Sequence, residues 1–314
     1  MLRTIIAVLL LVASINGASA QLTTTDIGVG GFGAGSGSYV GPGDLTLSTN
    51  LRFWVGFRAY SLATAGTNAV GLQRTAGTAT CYSTPTQTTC PIKSLSSGAF
   101  DTASAASFCS GTTCTVARIY DQTGNNACPA AGGPCDATSG DAVYSATACN
   151  GFPGAVLTSP ASILIAGFEG TTQPLTVVTV AKRTAVIGGG AYSPILVQPG
   201  TGSSAGLYFD TNANRLITYA GSISSFVSET DGTLYSIAGI LAATSFIDLN
   251  GTRTSVGSIG STGFPLGNLL IGFSIFGSWT GVLCEIGLVE AQSSNADTIA
   301  LYNNQHSSYG YGNY

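Results

Sequence analysis

From residue 155 onward, apolar and polar residues alternate in short runs. Runs with a period of two are typical of β-strands that bury one face. Glycine, asparagine, serine or proline separates neighbouring runs, at a spacing typical of an all-β sandwich or jelly roll. An Asn250-Gly251 step predicts a tight hairpin, since both residues tolerate positive φ. The predicted strands cover residues 155–157, 162–165, 175–182, 192–197, 205–209, 215–220, 233–241, 245–249, 269–275 and 281–290.

The first half of the chain is less regular. The folded part is predicted to begin at residues 51–62, and the alternating apolar positions of residues 68–74 predict a strand. Residues 75–99 and 127–150 lack periodicity, so we predict loops that carry cysteines. Short helices are predicted over residues 60–65, 101–108 (with Asp101 as N-cap) and 294–304.

A short apolar strand at residues 116–120 runs into a sharp turn. Aspartate accepts hydrogen bonds from nearby backbone amides, and glycine adopts positive φ. We therefore predict a structural turn formed by Tyr120, Asp121, Gln122 and Gly124.

The N-terminus has the pattern of a secretory signal. Arg3 precedes an apolar run at residues 5–12, and Ala18-Ser19-Ala20 is a small-residue cleavage site. The apolar run is too short to span a bilayer as a helix. We predict a secreted protein that is cleaved after Ala20 and has no transmembrane segment.

No repeat or linker divides the remaining chain. We predict a Gly/Ser-rich N-terminal segment over residues 21–50, a single β-sandwich domain over 51–308 and a frayed Gly/Tyr tail over 309–314. Only 8% of the residues are charged, against about 25% in typical domains. The net charge is −4 and no basic stripe exists, so nucleic acid is excluded as a partner.

Eight cysteines in an exported chain predict disulfides. Spacing favours three local pairs and leaves the last two cysteines for each other. No Cys-x-x-Cys pair exists and His306 is the only histidine, so a zinc site is excluded. The predicted disulfides are Cys81–Cys90, Cys109–Cys114, Cys128–Cys135 and Cys149–Cys284.

Two stretches carry a resemblance to known families. The order of Arg58-Ala-Tyr-Ser-Leu62, the strand ending at Arg74, the Cys109/Cys114 pair and the turn 120–124 resembles the catalytic domain of α-L-arabinofuranosidase B. The later segments resemble the concanavalin A/laminin-G-like lectin and glucanase fold. They are residues 246–252, 269–272 and 279–286. Together these resemblances imply a concanavalin A-like β-sandwich (jelly roll) with a few short helices and disulfide-stapled loops.

The arabinofuranosidase resemblance implies retaining hydrolysis of arabinofuranosyl groups from plant polysaccharides by two carboxyls. The family's nucleophilic glutamate lies just before an Ile-Tyr-Phe strand. The counterpart strand here is Leu207-Tyr208-Phe209, and the glutamate position falls near Ala205. Counterparts of the family's adjacent Cys-Cys pair and Asp-Leu-Glu-Asn segment are absent. The family's catalytic acids are therefore not recognisable in this sequence.

Other residues are candidates for the site. Asp210, which ends a predicted strand and could line a concave face, and Glu285 are the weak candidates for catalytic acids, while the better interpretation of Glu285 is a structural partner of an arginine. The candidate glycan-binding residues are Tyr208, Asp210, Tyr219 and Trp279.

We predict a secreted glycan-binding protein that has lost hydrolytic activity and takes a polysaccharide or glycan as its partner. The first alternative is an active hydrolase that releases L-arabinofuranosyl groups. The second is a structural or adhesive protein of the cell envelope. No cofactor is predicted. Lectin-like folds often hold Ca²⁺ through oxygen ligands, but no motif here indicates such a site.

Overall fold

The computed structural model describes residues 38–139, 141–158, 160–187, 192–198, 205–210, 213–274, 277–307 and 310–312. The predicted signal peptide, its cleavage site and residues 21–37 lie outside the described residues. Within the described ranges, no helix has both the length and the apolar character needed to cross a membrane.

Antiparallel strands dominate the described chain, which confirms the all-β prediction. The strands are β1 (Leu51–Gly56), β2 (Asn68–Arg74), β3 (Ala79–Cys81), β4 (Thr84–Gln87), β5 (Thr89–Lys93), β6 (Cys114–Ile119), β7 (Ala137–Thr138), β8 (Val143–Cys149), β9 (Phe152–Leu157), β10 (Ile163–Phe168), β11 (Leu175–Ile187), β12 (Tyr192–Val197), β13 (Ala205–Asp210), β14 (Arg215–Ala220), β15 (Val227–Ser228), β16 (Tyr235–Leu241), β17 (Ser245–Leu249), β18 (Thr252–Gly257), β19 (Gly267–Ile271), β20 (Phe273–Ser274) and β21 (Gly277–Val289). The helices are α1 (Thr102–Phe108), α2 (Asn295–Gln305) and short 3₁₀ helices at Pro42–Asp44, Thr46–Asn50, Leu62–Thr64 and Pro129–Ala131.

The strands pair in two long antiparallel ribbons. The first layer has the order β1-β21-β11-β16-β17-β18. The second has the order β5-β2-β6-β7-β10-β19-β12-β13-β14-β15. The β8–β9 hairpin joins them, because β9 pairs with β21 and β8 pairs with β6. Two facing antiparallel layers form a β-sandwich.

The core lies between the layers and follows the period of two. On β11, Val177 faces the main core, whereas Val178 packs on the outside with Leu301 of α2. The layers approach closely where Gly239 of β16 faces Leu207 of β13. A Cβ at residue 239 would lie 2.8 Å from Leu207 Cδ1, so any larger residue there would displace the Leu207 side chain.

The hairpin prediction at Asn250-Gly251 is confirmed. Both residues have positive φ, 49° and 75°, and β17 pairs with β18 across the turn. The four disulfides link the pairs that the cysteine spacing predicts. Three of the disulfides close short local loops. The fourth, Cys149–Cys284, ties β8 to β21 across 135 residues of sequence.

Several local predictions need correction. Residues 75–99 and 127–150 are not plain loops, since β3, β4, β5, β7 and β8 lie within them. Of the predicted helix at residues 60–65, only a 3₁₀ turn at Leu62–Thr64 forms. The helix predicted over 101–108 does form, and Asp101 caps it by accepting a hydrogen bond from Ser104 N (3.0 Å).

Both ends of the described chain are packed. Residues 42–50 form 3₁₀ helices, and the buried Tyr39 hydroxyl donates to Ala59 O. Tyr311 lies in the tail that the sequence predicts to be frayed, yet it is 2% exposed and donates to Cys284 O (3.1 Å).

Candidate functional site

The outer face of β12, β13 and β14 collects most of the predicted glycan-binding residues. Leu207 and Phe209 on β13 point into the main core, so Tyr208 and Asp210 point to the opposite side. Tyr208 belongs to a separate cluster with Tyr192 and Tyr219. We call the outward-facing residues Tyr192, Tyr208, Asp210, Arg215, Tyr219 and Phe226 the tyrosine face.

The strand register explains how these side chains meet. Asp210 lies opposite Tyr192 of β12 and opposite Arg215 of β14. Opposite residues of an antiparallel ladder project to the same side. The Tyr192 and Tyr208 rings meet edge to face, with centroids 6.3 Å apart.

An ion pair stands at one end of the tyrosine face. The Asp210 carboxylate accepts hydrogen bonds from Arg215 Nε (3.0 Å) and from Arg215 Nη2. The Arg215 guanidinium also lies over the Phe226 ring, 4.4 Å from its centroid. Phe226 is 52% exposed and Arg215 is 32% exposed in its side chain. The Asp210 side chain is only 5% exposed, so this end offers an accessible ring beside the Arg215 guanidinium.

A buried arginine fixes the end of the β13–β14 hairpin. Arg183 Nη1 donates to Asp210 O (2.7 Å), Nη2 donates to Asn214 Oδ1 (3.0 Å) and Nε donates to Asp231 Oδ1 (2.6 Å). Arg183 Nη2 also pairs with Glu229. Burial raises the pKa of Glu229, and the Arg183 guanidinium opposes that rise. This network holds the backbone that presents Asp210.

Two predicted site residues are corrected by their burial. Glu285 is fully buried, and its carboxylate accepts from Arg58 Nε (2.7 Å), Gln305 Nε2 (2.9 Å) and Tyr311 Oη (3.0 Å). The interpretation of Glu285 as the structural partner of an arginine fits this network, and its candidacy as a catalytic acid is wrong, because no substrate reaches this carboxylate. Trp279 is also fully buried. Its Nε1 donates to Pro194 O (2.8 Å) and its ring packs on Phe209, so it cannot stack on a sugar.

Tyr208 takes a different position from the one predicted. It is 3% exposed, and its ring lies over Gly206: a Cβ at residue 206 would be 2.7 Å from Tyr208 Cε2. Tyr208 therefore forms the floor of the face, and the partly exposed Tyr219 offers the accessible ring. Burial raises the pKa of the Tyr208 hydroxyl well above its ordinary value.

The strand that the resemblance aligns with the family's nucleophile has no room for one. Ala205 is buried in the core beside Leu207, so a carboxylate there would enter an apolar interior. Gly206 is the outward-facing neighbour, but the Tyr208 ring and Leu196 O occupy the space of its side chain. Neither position carries or accommodates a carboxylate on the tyrosine face.

The turn at residues 120–124 holds other segments rather than a ligand. Asp121 accepts from Trp54 N (3.2 Å) and Cys135 N (3.0 Å). Gln122 accepts from Tyr60 N (2.9 Å), and Gly124 has a φ of 75°. Burial raises the pKa of Asp121, although these backbone hydrogen bonds oppose the rise. Tyr120 donates its backbone N–H to Ala69 O (2.9 Å).

Three residues that form or support the tyrosine face are not among those predicted from the sequence. Arg215 follows Asp210 by five positions across an Asn-rich turn, a spacing from which a cross-strand ion pair is predictable. Phe226 sits in a non-periodic segment and gives no such signal. Arg183 looks like any strand-end cation, and only the fold brings its partners together. Within the described ranges, no three His, Cys, Asp or Glu side chains gather as metal ligands.

Comparisons with known proteins give one family match and several structural matches. Residues 82–158 match the model of the family described as alpha-L-arabinofuranosidase B, catalytic. This segment is well short of half the chain. No curated protein sequence matches.

Among solved structures, the chain is similar to a GH54 α-L-arabinofuranosidase soaked with a cyclic sulfate inhibitor. The TM-score is 0.63 and the sequence identity 16%, over 84% of this chain and 64% of that one. An arabinofuranosidase complexed with arabinofuranosyl-α-1,2-xylobiose gives a TM-score of 0.62 at the same identity and coverage. This chain thus spans less than two thirds of the length of those proteins. At such identity the likeness establishes the sandwich fold.

Proposed function

We propose that this protein is a secreted glycan-binding protein with an arabinofuranosidase B-like sandwich, and that it holds polysaccharide on the tyrosine face without cleaving it. The observation that carries the proposal is the pairing of accessible rings with a single ion-paired carboxylate, Asp210. Binding sites combine apolar and aromatic surface with a few polar groups that set orientation. Tyr219 and Phe226 supply the rings, and Arg215 supplies hydrogen-bond donors.

Among the described residues of the tyrosine face, no second carboxyl accompanies Asp210, which argues against hydrolysis on this face. Retaining glycosidases need two carboxyls about 5–5.5 Å apart, one of them a nucleophile. Asp210 is held by Arg215. Glu229 and Asp231, the carboxylates closest to it in this network, are both engaged by Arg183. The retained fold and the family match over residues 82–158 favour active arabinofuranoside hydrolysis as the second candidate function. No comparable observation favours a structural or adhesive role.

Secretion is part of the same proposal. Four disulfides suit an oxidising compartment, and the N-terminal pattern predicts cleavage after Ala20. N-terminal sequencing of the exported protein tests this directly. A mature chain that begins at Gln21 supports it, and an uncleaved intracellular chain contradicts it.

Affinity electrophoresis in gels that contain arabinan or arabinoxylan tests the binding claim. We expect wild-type protein to be retarded, and we expect Tyr219→Ala and Phe226→Ala to restore mobility. Each lost ring contact should weaken binding about fivefold to tenfold, corresponding to about 1–1.4 kcal/mol. Tyr82→Ala is the matched control, because Tyr82 is an exposed aromatic residue (44%) outside this face.

Two outcomes contradict the proposal. Absence of retardation on these polysaccharides and on other plant and microbial glycans would remove the binding function. If Tyr219→Ala and Phe226→Ala were still retarded and Tyr82→Ala were not, the binding site would lie outside the tyrosine face.

A further inference from the structure

A polar pocket lies beside the start of β1, outside the tyrosine face. It has a volume of about 320 Å³, at the lower end of the range for small-molecule sites. Residues from separate parts of the chain line it. Those used below are Thr49, Arg52, Asn125, Asn126, Glu169 and Glu290.

Two carboxylates converge on one guanidinium at this pocket. Arg52 Nη1 lies 3.1 Å from Glu290 Oε2, and Arg52 Nη2 contacts Glu169 Oε1. The second oxygen of Glu290 accepts from Thr171 Oγ1 (2.6 Å). All three charged side chains are partly exposed, so their outer edges are open to a ligand.

Backbone hydrogen bonds hold the walls in place. Glu290 N donates to Asn50 O (2.7 Å), and Glu169 N donates to Ala127 O (2.8 Å). Asn125 Nδ2 donates to Leu51 O (2.6 Å). The loop after the 120–124 turn is thereby fixed against the start of β1. A pocket that is rigid before binding loses less entropy when a ligand enters.

The lining chemistry selects the ligand. The carboxylates offer acceptors, while the amides, the Thr49 hydroxyl and Arg52 offer donors at the same site. No aromatic residue is among the lining residues, so ring stacking plays no part. Arg52 already compensates one of the two negative charges, which disfavours a strongly anionic ligand and weakens the attraction for a cation. A compact neutral molecule with several hydroxyls satisfies donors and acceptors together.

We propose that this pocket binds a single neutral sugar ring, with Glu169 and Glu290 accepting hydrogen bonds from neighbouring hydroxyls. The pocket is independent of the tyrosine face and gives the protein a second contact with a glycan. Two linked sites on one chain raise avidity when a polymer reaches both.

Saturation-transfer NMR titration with D-xylose, D-glucose and D-glucosamine tests the inference. We expect saturable binding of the neutral sugars and a Kd about tenfold weaker in Glu169→Gln and Glu290→Gln, as for loss of a charged acceptor. Asp141→Asn is the control, because Asp141 is an exposed carboxylate that does not line the pocket. Near-UV circular dichroism checks that each variant is folded.

A Tyr219→Ala variant separates this site from the tyrosine face. Unchanged binding of monosaccharides in that variant supports the inference. Loss of monosaccharide binding there, with normal binding in Glu169→Gln and Glu290→Gln, overturns it and leaves the proposed function intact. Absence of saturable binding in the wild type, or tenfold tighter binding of glucosamine than of glucose, overturns it as well.

Discussion

Replacing Glu285 with glutamine tests whether the carboxylate of this residue is structural or catalytic. The Glu285 carboxylate accepts from Arg58 Nε (2.7 Å) and Nη2 (3.0 Å), and both side chains are almost fully buried. Glutamine has nearly the same shape, so the change leaves no large cavity. It replaces an acceptor oxygen by an amide donor that faces Arg58 or Tyr311.

The expected cost follows from the charge left behind. Burial is the largest single influence and lowers the pKa of Arg58, but Glu285, the strongest of the opposing groups, together with Tyr39 and Tyr311 raises the pKa above its ordinary value. In the variant, a buried guanidinium loses its counter-ion, which costs about 3–5 kcal/mol. Urea denaturation should show the free energy of unfolding reduced by that amount with an unchanged m-value.

Glu290→Gln is the matched control. Its carboxylate is 39% exposed and pairs with Arg52 at 3.1 Å, and exposed ion pairs contribute about 0–1 kcal/mol. If Glu285→Gln lost no more stability than this control, the reasoning about the buried network would be refuted.

Two further predictions concern stability. Replacing both cysteines of a disulfide with alanine should cost about 5 kcal/mol of stability for Cys149–Cys284 and about 2 kcal/mol for Cys109–Cys114. In the chain-entropy model the difference arises because the sequence separations are 135 and 5. Non-reducing thermal melts of both variants check this order, and equal losses of stability would contradict it. Burial raises the pKa of Glu229 above its ordinary value of 4.5. The folded state therefore keeps this proton to a higher pH than the unfolded chain, so its stabilising contribution falls as pH rises from about 4.5 through the folded pKa. Glu229→Gln should flatten the stability profile as pH rises above about 4.5, and an unchanged slope in urea unfolding would contradict this.

The sandwich itself was predictable from the sequence. Tyr235–Leu241 is buried at six of its seven positions, so its sequence is a short apolar run, and such runs bounded by turn residues are typical of buried strands. The Asn250-Gly251 turn was predictable for a local reason, namely its tolerance of positive φ. The three short disulfide loops were also predictable for a local reason, because their cysteines lie close together in the sequence.

The missed strands lack that signal. Thr84–Gln87 is mostly exposed, and it pairs only with Ala79–Cys81 in a small separate sheet. Without a buried face, such a strand shows no alternation of apolar and polar residues. The packing of Tyr311 was also unpredictable, because a Gly/Tyr-rich tail reads as flexible until its partners at Cys284 and Glu285 are known.

The site was predictable only in part. The placement of Asp210 and Tyr219 on neighbouring strands was predictable, because the pattern locates those strands, and their role in glycan binding stays a prediction. Trp279 was misassigned because a one-dimensional pattern does not separate the two sides of a fully buried strand. A structural role of Glu285 beside an arginine was expected, but only the fold identifies that arginine as Arg58, 227 positions away.

Release of free arabinose from arabinan and arabinoxylan tests most directly the claim that this protein keeps the sandwich and binds glycan without hydrolysing it. The assay uses the oxidised mature protein, with an active arabinofuranosidase as positive control. We predict no release above the buffer control from folded protein with all four disulfides formed. Sustained release that Asp210→Asn abolishes would contradict it and assign a catalytic acid to the tyrosine face.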